Sequence, residues 1–224
     1  MNEFAEAFLN IDIVREASPI LLSGLRQTLL LAIMVIPAGL VGGVVLALLA
    51  SLRSSLARRL AALWTDLFRG IPPLVLLVML YSGLPFAGID LGAWGAVLLG
   101  FLLNASAYYG EILRAGINSV PVGQTEAARS TGLGAVPTMA YVVLPQAVRN
   151  VLPDLTSNTL EVVKLTSIAS IVGLPELLFQ ARQAQNVTYN ASPIVAAALA
   201  YFLILWPLVR LVSRLENRVL FARR

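Results

Sequence analysis

Apolar residues in this chain do not alternate with polar ones at the two-residue period of a half-buried strand. They gather into long runs separated by short polar stretches, at the length a helix needs to cross a bilayer, about 20 residues. The first run, about 27–52, is uncharged, and Gly39, Gly42 and Gly43 mark one side of it, either for close approach of another helix or for flexibility. The second, about 64–84, contains Arg69 and then Pro72 and Pro73, and the third covers about 91–113. The fourth, about 151–173, holds Glu161 and Lys164 inside its apolar stretch, and the fifth covers about 194–212. This pattern predicts an all-α integral membrane protein, one transmembrane domain over 1–224 with five transmembrane helices.

Between the third and fourth runs, 120–146 is too polar and too broken by glycine to cross. It is predicted to form a helix-turn-helix elbow. Glu126 is expected in the first turn of a short helix, where a carboxylate meets unpaired N–H groups and the positive dipole end. Ala127 and Ala128 present almost no side chain, so another protein's backbone could come close. Gly132 is expected just past the helix end with positive φ, Leu133 and Gly134 follow at the corner, and Pro137 suits the first turn of a second helix. Leu144 and Pro145 then break or kink the chain before the fourth span.

Charge decides orientation rather than fold. The chain is 58% hydrophobic and 12% charged, with a mean hydropathy of +0.82, and its net charge of +4 sits at run ends instead of on a soluble face that could bind nucleic acid. Arg53, Arg58 and Arg59, then Arg210, Arg214, Arg218, Arg223 and Arg224, mark inner segments, while the outward ones hold Arg15, Arg26 and Arg182. The acidic segment 1–19 is therefore expected outside, the elbow and the C-terminus inside. Segment 1–19 has neither the basic start nor the small-residue cleavage site of a secretory signal. Tyr108 and Tyr109, at the end of the third run, are expected in the interfacial belt, and a helix near 176–185 is expected across the outer mouth. With no Cys and no His, disulfides, thiolate metal sites and the commonest general base are excluded. No G-x-x-x-x-G-K-[ST] phosphate loop occurs, so ATP cannot be bound in that way.

The spacing of Glu126-Ala127-Ala128, Gly132 and Leu144-Pro145 resembles the EAA loop of permease subunits of binding-protein-dependent ABC importers, with Val142 where the family usually has Ile. The stretch FRGIPPLVLLVMLYSGLP, with Ile71 for the usual Thr, and the run AYYGEILRAGINSVPVGQTEAA are similar to the polar amino acid branch. The resemblance covers about 20–222. It implies that the elbow seats in a groove of an ATPase subunit. It also implies two ATPase subunits carrying ATP and Mg, a second permease subunit (identical or sister), and a solute-binding protein, in a bacterial cytoplasmic membrane and with no cofactor in this chain.

Glu161 and Lys164 are three residues apart, on one helical face, and can partly neutralise each other. A zwitterionic amino acid needs an acceptor for its ammonium and a donor for its carboxylate, and this pair supplies both; a structural ion pair at a subunit contact is the competing reading. Asn158 and Ser167 are expected roughly on that face, with Thr166 nearby. The family's usual Lys-Asp-Thr-Ser reads Lys164-Leu165-Thr166-Ser167 here, so either Glu161 replaces the missing Asp or the solute differs. Arg69 is either a positive-inside anchor or a group in the solute path. The resemblance thus implies an importer permease for a polar amino acid or a derivative such as an opine. A permease for another small solute and a secondary transporter are the alternatives, although no inverted repeat is evident.

Overall fold

A computed structural model describes residues 2–52 and 54–221, and for Asn2, Leu211 and 214–221 it describes the backbone alone. Arg53, Arg223 and Arg224, three of the arginines used to orient the chain, lie outside the described residues. Every regular element among the described residues is helical. Three helices are long and apolar enough to cross a membrane, and the number reaches five when each of two bent helix pairs counts as one span.

The chain opens with α1 (Asn2–Phe8) and α2 (Ile11–Ser51). Asn10 caps α2, its Oδ1 accepting from the Asp12 and Ile13 amides. The first apolar run, expected at about 27–52, is thus the later part of a helix that begins near the chain start. The cause is local: 11–26 carries helix-compatible residues and a cap, even though it is too polar to be read as a span.

Helix α3 (Ser55–Gly70) follows, N-capped by the Ser54 hydroxyl, which accepts from the Ala57 amide at 3.3 Å. The second run was expected as one span over about 64–84; it is instead broken, with α3 and the helical stretch beginning at α4 (Pro73–Val78) meeting at 97°. A residue before proline is pushed out of the α region, and both Ile71 (ψ 125) and Pro72 (ψ 132) are extended. A π turn (Met79–Gly83) and a 3-10 turn (Leu84–Ala87) continue α4, and α5 (Gly92–Asn118) is the third run.

After the elbow, α8 (Leu144–Leu165) carries Pro153 and tightens into a 3-10 turn (Thr166–Val172) that ends at Gly173 with φ 77°. The fourth run therefore starts earlier than its expected limit near 151. Helix α9 (Leu177–Thr188), the segment expected near 176–185, is bent from the preceding stretch by 49°. The fifth run becomes α10 (Ser192–Phe221).

The helices form two compact units. The first gathers the chain up to Ile36 with Pro72–Phe101 and Leu160–Val209. In it Ala17 and Leu21 of α2 pack with Leu177, Ala181 and Ala184 of α9 and Ala197 of α10. The second unit gathers Pro37–Ile71, Leu102–Thr159 and the last chain segment. There the glycines of α2 meet α5: a Cβ at Gly39 would stand 2.7 Å from the Ala105 Cβ, and one at Gly43 would stand 2.5 Å from the Tyr109 Cβ. Of the two readings of these glycines, close helix approach is the one realised.

Candidate functional site

The elbow is built as a helix, a closed turn and a second helix. Helix α6 (Val122–Ser130) starts after Pro121, so Glu126 falls mid-helix rather than in the first turn. The expected stabilisation by the dipole's positive end therefore does not apply. Glu126 and Ala127 are exposed, but Ala128 is 7% exposed and packs inward, which leaves only Ala127 open to close approach. The end of α6 closes as a Schellman motif, with the Leu133 amide bonding the Ala128 carbonyl and the Gly132 amide bonding the Arg129 carbonyl, while Gly132 holds φ 88°. The Arg129 guanidinium adds a bond to the Leu133 carbonyl at 3.1 Å.

Gly134 then precedes the single turn α7 (Ala135–Pro137), which places Pro137 in the first turn of the second helix. Pro145 does not break the chain. A π turn (Thr138–Val143) precedes it and absorbs the missing amide by widening one turn, so α8 runs through Leu144 and Pro145. Val122, Leu133, Val136 and Tyr141 leave apolar surface exposed on the elbow. A groove of about 830 Å³ lies between α6 and the next helix, floored by Val120, Thr138, Met139 and Val143.

The second feature is a polar cleft of about 370 Å³ between α3 and the later parts of α2 and α5. Glu111 is gripped by a guanidinium fork, with Arg114 Nε donating at 2.8 Å and Nη2 at 2.6 Å. Arg69 Nη1 stands 3.9 Å from the same carboxylate, and its guanidinium lies 5.3 Å from the centre of the Tyr108 ring. Asp66 and Thr65 line the same cleft. Arg69 was read from sequence, whereas Asp66, Glu111 and Arg114 were not; an i, i+3 Glu-Arg pair on one helix was the available signal. Tyr109 is fully buried, with its hydroxyl 2.8 Å from Thr159 Oγ1. Its expected place in an interfacial belt is wrong, because the α2 glycines bring a neighbouring backbone onto its ring.

The third feature is on α8. Lys164 Nζ donates to Glu161 Oε2 at 3.0 Å, and both side chains are more than half exposed. Ser167 is half-buried, and its hydroxyl bonds the Lys164 carbonyl. Thr166 turns inward, is fully buried, and donates to the Val163 carbonyl. Asn158 belongs to the second unit, where its Nδ2 is buried without a hydrogen-bond partner. Asn158, Glu161 and Lys164 lie three residues apart along the α-helical part of α8, with Ser167 in the 3-10 turn that follows, but their surroundings differ: the Asn158 amide is buried, whereas Glu161 and Lys164 are exposed.

Sequence reasoning did not find Glu176. It has no exposed surface, caps α9 through the Leu178 and Phe179 amides, and accepts from the Tyr201 hydroxyl at 2.8 Å.

The model of the binding-protein-dependent transport system inner membrane component family matches residues 39–221. The chain belongs to this family. Among curated relatives, it is 36% identical over 214 residues to the probable amino-acid ABC transporter permease protein YckA of Bacillus subtilis (strain 168), covering 95% of this chain and 92% of that one. It is 32% identical over 205 residues to the arginine transport system permease protein ArtQ of the same organism, covering 90% and 93%. A solved structure described as an amino acid ABC transporter with histidines superposes with a TM-score of 0.84 at 35% identity, over 93% of this chain and 97% of that one. A family of membrane components accounts for the exposed apolar surfaces of α2, α3 and α10. Among the described residues, no group of acidic residues could hold a metal ion.

Proposed function

We propose that this chain is the membrane-spanning subunit of an ATP-driven ABC importer for a polar amino acid or a close derivative such as an opine. It works in a bacterial cytoplasmic membrane, with the N-terminus outside and the elbow and C-terminus in the cytoplasm. Two ATPase subunits hold ATP and Mg, a second permease subunit completes the pathway, and a solute-binding protein delivers the solute.

The observation that carries this reading is the elbow. Its short helix is closed by a glycine-centred turn and continues directly into α8, while Val122, Glu126 and Ala127 remain open on its outer side. A rigid, partly apolar projection of that kind suits a partner's groove, and its continuity with α8 gives motion a route into the membrane. ATP-driven closure of the partners shifts the permease between two states, each favoured by different contacts. Lys164 and Glu161 serve the carboxylate and ammonium of the solute, with Ser167 and Arg69 along the path and Thr166 and Asn158 behind it.

The test is Glu126→Lys in the reconstituted complex. Uptake is expected to fall at least about tenfold, the equivalent of ~1.4 kcal/mol of coupling, while ATP hydrolysis no longer responds to loaded solute-binding protein. Normal uptake with normally stimulated hydrolysis would remove the docking role.

A further inference from the structure

Resting on the importer reading above, we propose that the cleft between α3 and α5 is a second station for a zwitterionic α-amino acid, where Asp66 takes the ammonium and Arg69 the carboxylate. The helix that carries both is amphipathic, with leucines along one side and small and charged residues along the other. Leu56, Leu60, Leu63 and Leu67 are exposed, whereas Ala61 and Thr65 are buried and Asp66 and Arg69 line the cleft. In a bilayer this arrangement turns leucine toward hydrocarbon and keeps the costly polar groups at an open cleft, with Asp66 and Arg69 themselves exposed.

Five charged residues line that space, Arg58, Asp66, Arg69, Glu111 and Arg114, and they are held to different degrees. Glu111 and Arg114 neutralise each other through two short hydrogen bonds. Asp66 makes no hydrogen bond and no ion pair among the described residues, and its charge reaches only Arg114 through space. Arg69 is 3.9 Å from its nearest carboxylate oxygen, beyond hydrogen-bond range, and otherwise rests on the Tyr108 ring. Their i, i+3 spacing puts both on one side of α3.

An entering α-amino acid brings one positive and one negative group, so it offers a direct hydrogen-bonding partner to each of Asp66 and Arg69 without changing the net charge of the cleft. A lone cation or anion satisfies only one of the two. The space of about 370 Å³ holds such a solute with its side chain beside the Glu111–Arg114 pair. Both side chains stay partly open to solvent, so the grip is moderate, as a transit site requires for release.

The experiment uses the assembled complex in the Lys164→Ala background, which removes the α8 pair, without solute-binding protein. Twenty L-amino acids are screened for binding, and the best binder is compared with its decarboxylated amine and its deaminated acid. The amino acid is expected to bind at least about tenfold tighter than either analogue, the usual scale of one charge-assisted hydrogen bond. Arg69→Gln should erase the preference over the amine and Asp66→Asn the preference over the acid. Leu63→Ala, on the apolar face, should keep both. These are ratios within one variant, so a loss of folded protein does not mimic them.

Preferences that survive both substitutions overturn the station and leave the importer reading standing. So does a requirement for phosphatidylglycerol that Arg69→Gln abolishes while both preferences remain, which would make the cleft a lipid headgroup site. A complex with Lys164 intact that binds and imports none of the twenty overturns the importer reading itself.

Discussion

Glu161 and Glu176 belong to the same unit, and the protein treats them in opposite ways. Glu161 is conspicuous in sequence because it interrupts an apolar run, yet its side chain is exposed and meets Lys164 one turn away at 3.0 Å. Glu176 follows a Gly-Leu-Pro corner at the start of the helix expected near 176–185, with nothing in the sequence to mark it as special, yet it is fully buried. Two backbone amides and the Tyr201 hydroxyl point at its carboxyl, with the Thr28 hydroxyl at 3.5 Å, so it joins α2, α9 and α10. The Leu177 amide in turn bonds Thr28 Oγ1. A formal ion pair does not identify the carboxylate on which the packing depends. What matters is how many donors would be left stranded by its removal.

The contrast can be broken by substitution, and the largest effect is expected at Glu176→Leu. The change strands two amides and a phenol in a dry site, and a loss of about 3–5 kcal/mol is expected, read as a lower melting temperature and yield of the purified complex. Glu176→Gln retains an acceptor and should recover most of that loss; equal damage from both would mean that volume, not hydrogen bonding, is what the site requires.

An intermediate effect is expected from Tyr201→Phe, which removes one donor and leaves the ring in place. About 1–2 kcal/mol should be lost in the same melt, and a change within error would show that the cap on α9 is sufficient alone.

The smallest stability effect belongs to the exposed pair. Glu161→Gln with Lys164→Met should cost at most about 1 kcal/mol, with any difference from the parent shrinking as salt is raised. Uptake should nevertheless fall in that double variant. A melt as damaged as that of Glu176→Leu would show the pair to be a structural contact and remove its place in the solute path.

Much of the fold was legible because it is encoded within a turn or two. The apolar runs, the Gly132 cap, the place of Pro137 and the Glu161–Lys164 contact all depend on residues fewer than about five apart, the reach of helical neighbours. The candidate cleft was only half legible. Arg69 stood out beside Pro72 and Pro73, but nothing local in the sequence singled out Asp66, Glu111 or Arg114 as its neighbours in one cleft. Their meeting needs α3 laid against α5, which the Trp64 indole to Ser106 hydroxyl bond and the Asn104 amide to Phe68 carbonyl bond report. Tyr109 was misread for a related reason, since its burial comes from Gly39 and Gly43, sixty or more residues earlier in the chain.

By itself the sequence determined that this chain is helical, membrane-embedded and a member of a transporter permease family. Those properties follow from composition, short periodicity and motifs whose spacing is local. Only the tertiary structure decided that the second run bends instead of crossing as one rod, that Pro145 is absorbed by a π turn, and that Glu176 is a buried anchor while Glu161 is not. The reason is physical. A side chain's cost or benefit in a low-dielectric interior depends on which donors and acceptors surround it, and packing brings those together from distant parts of the chain.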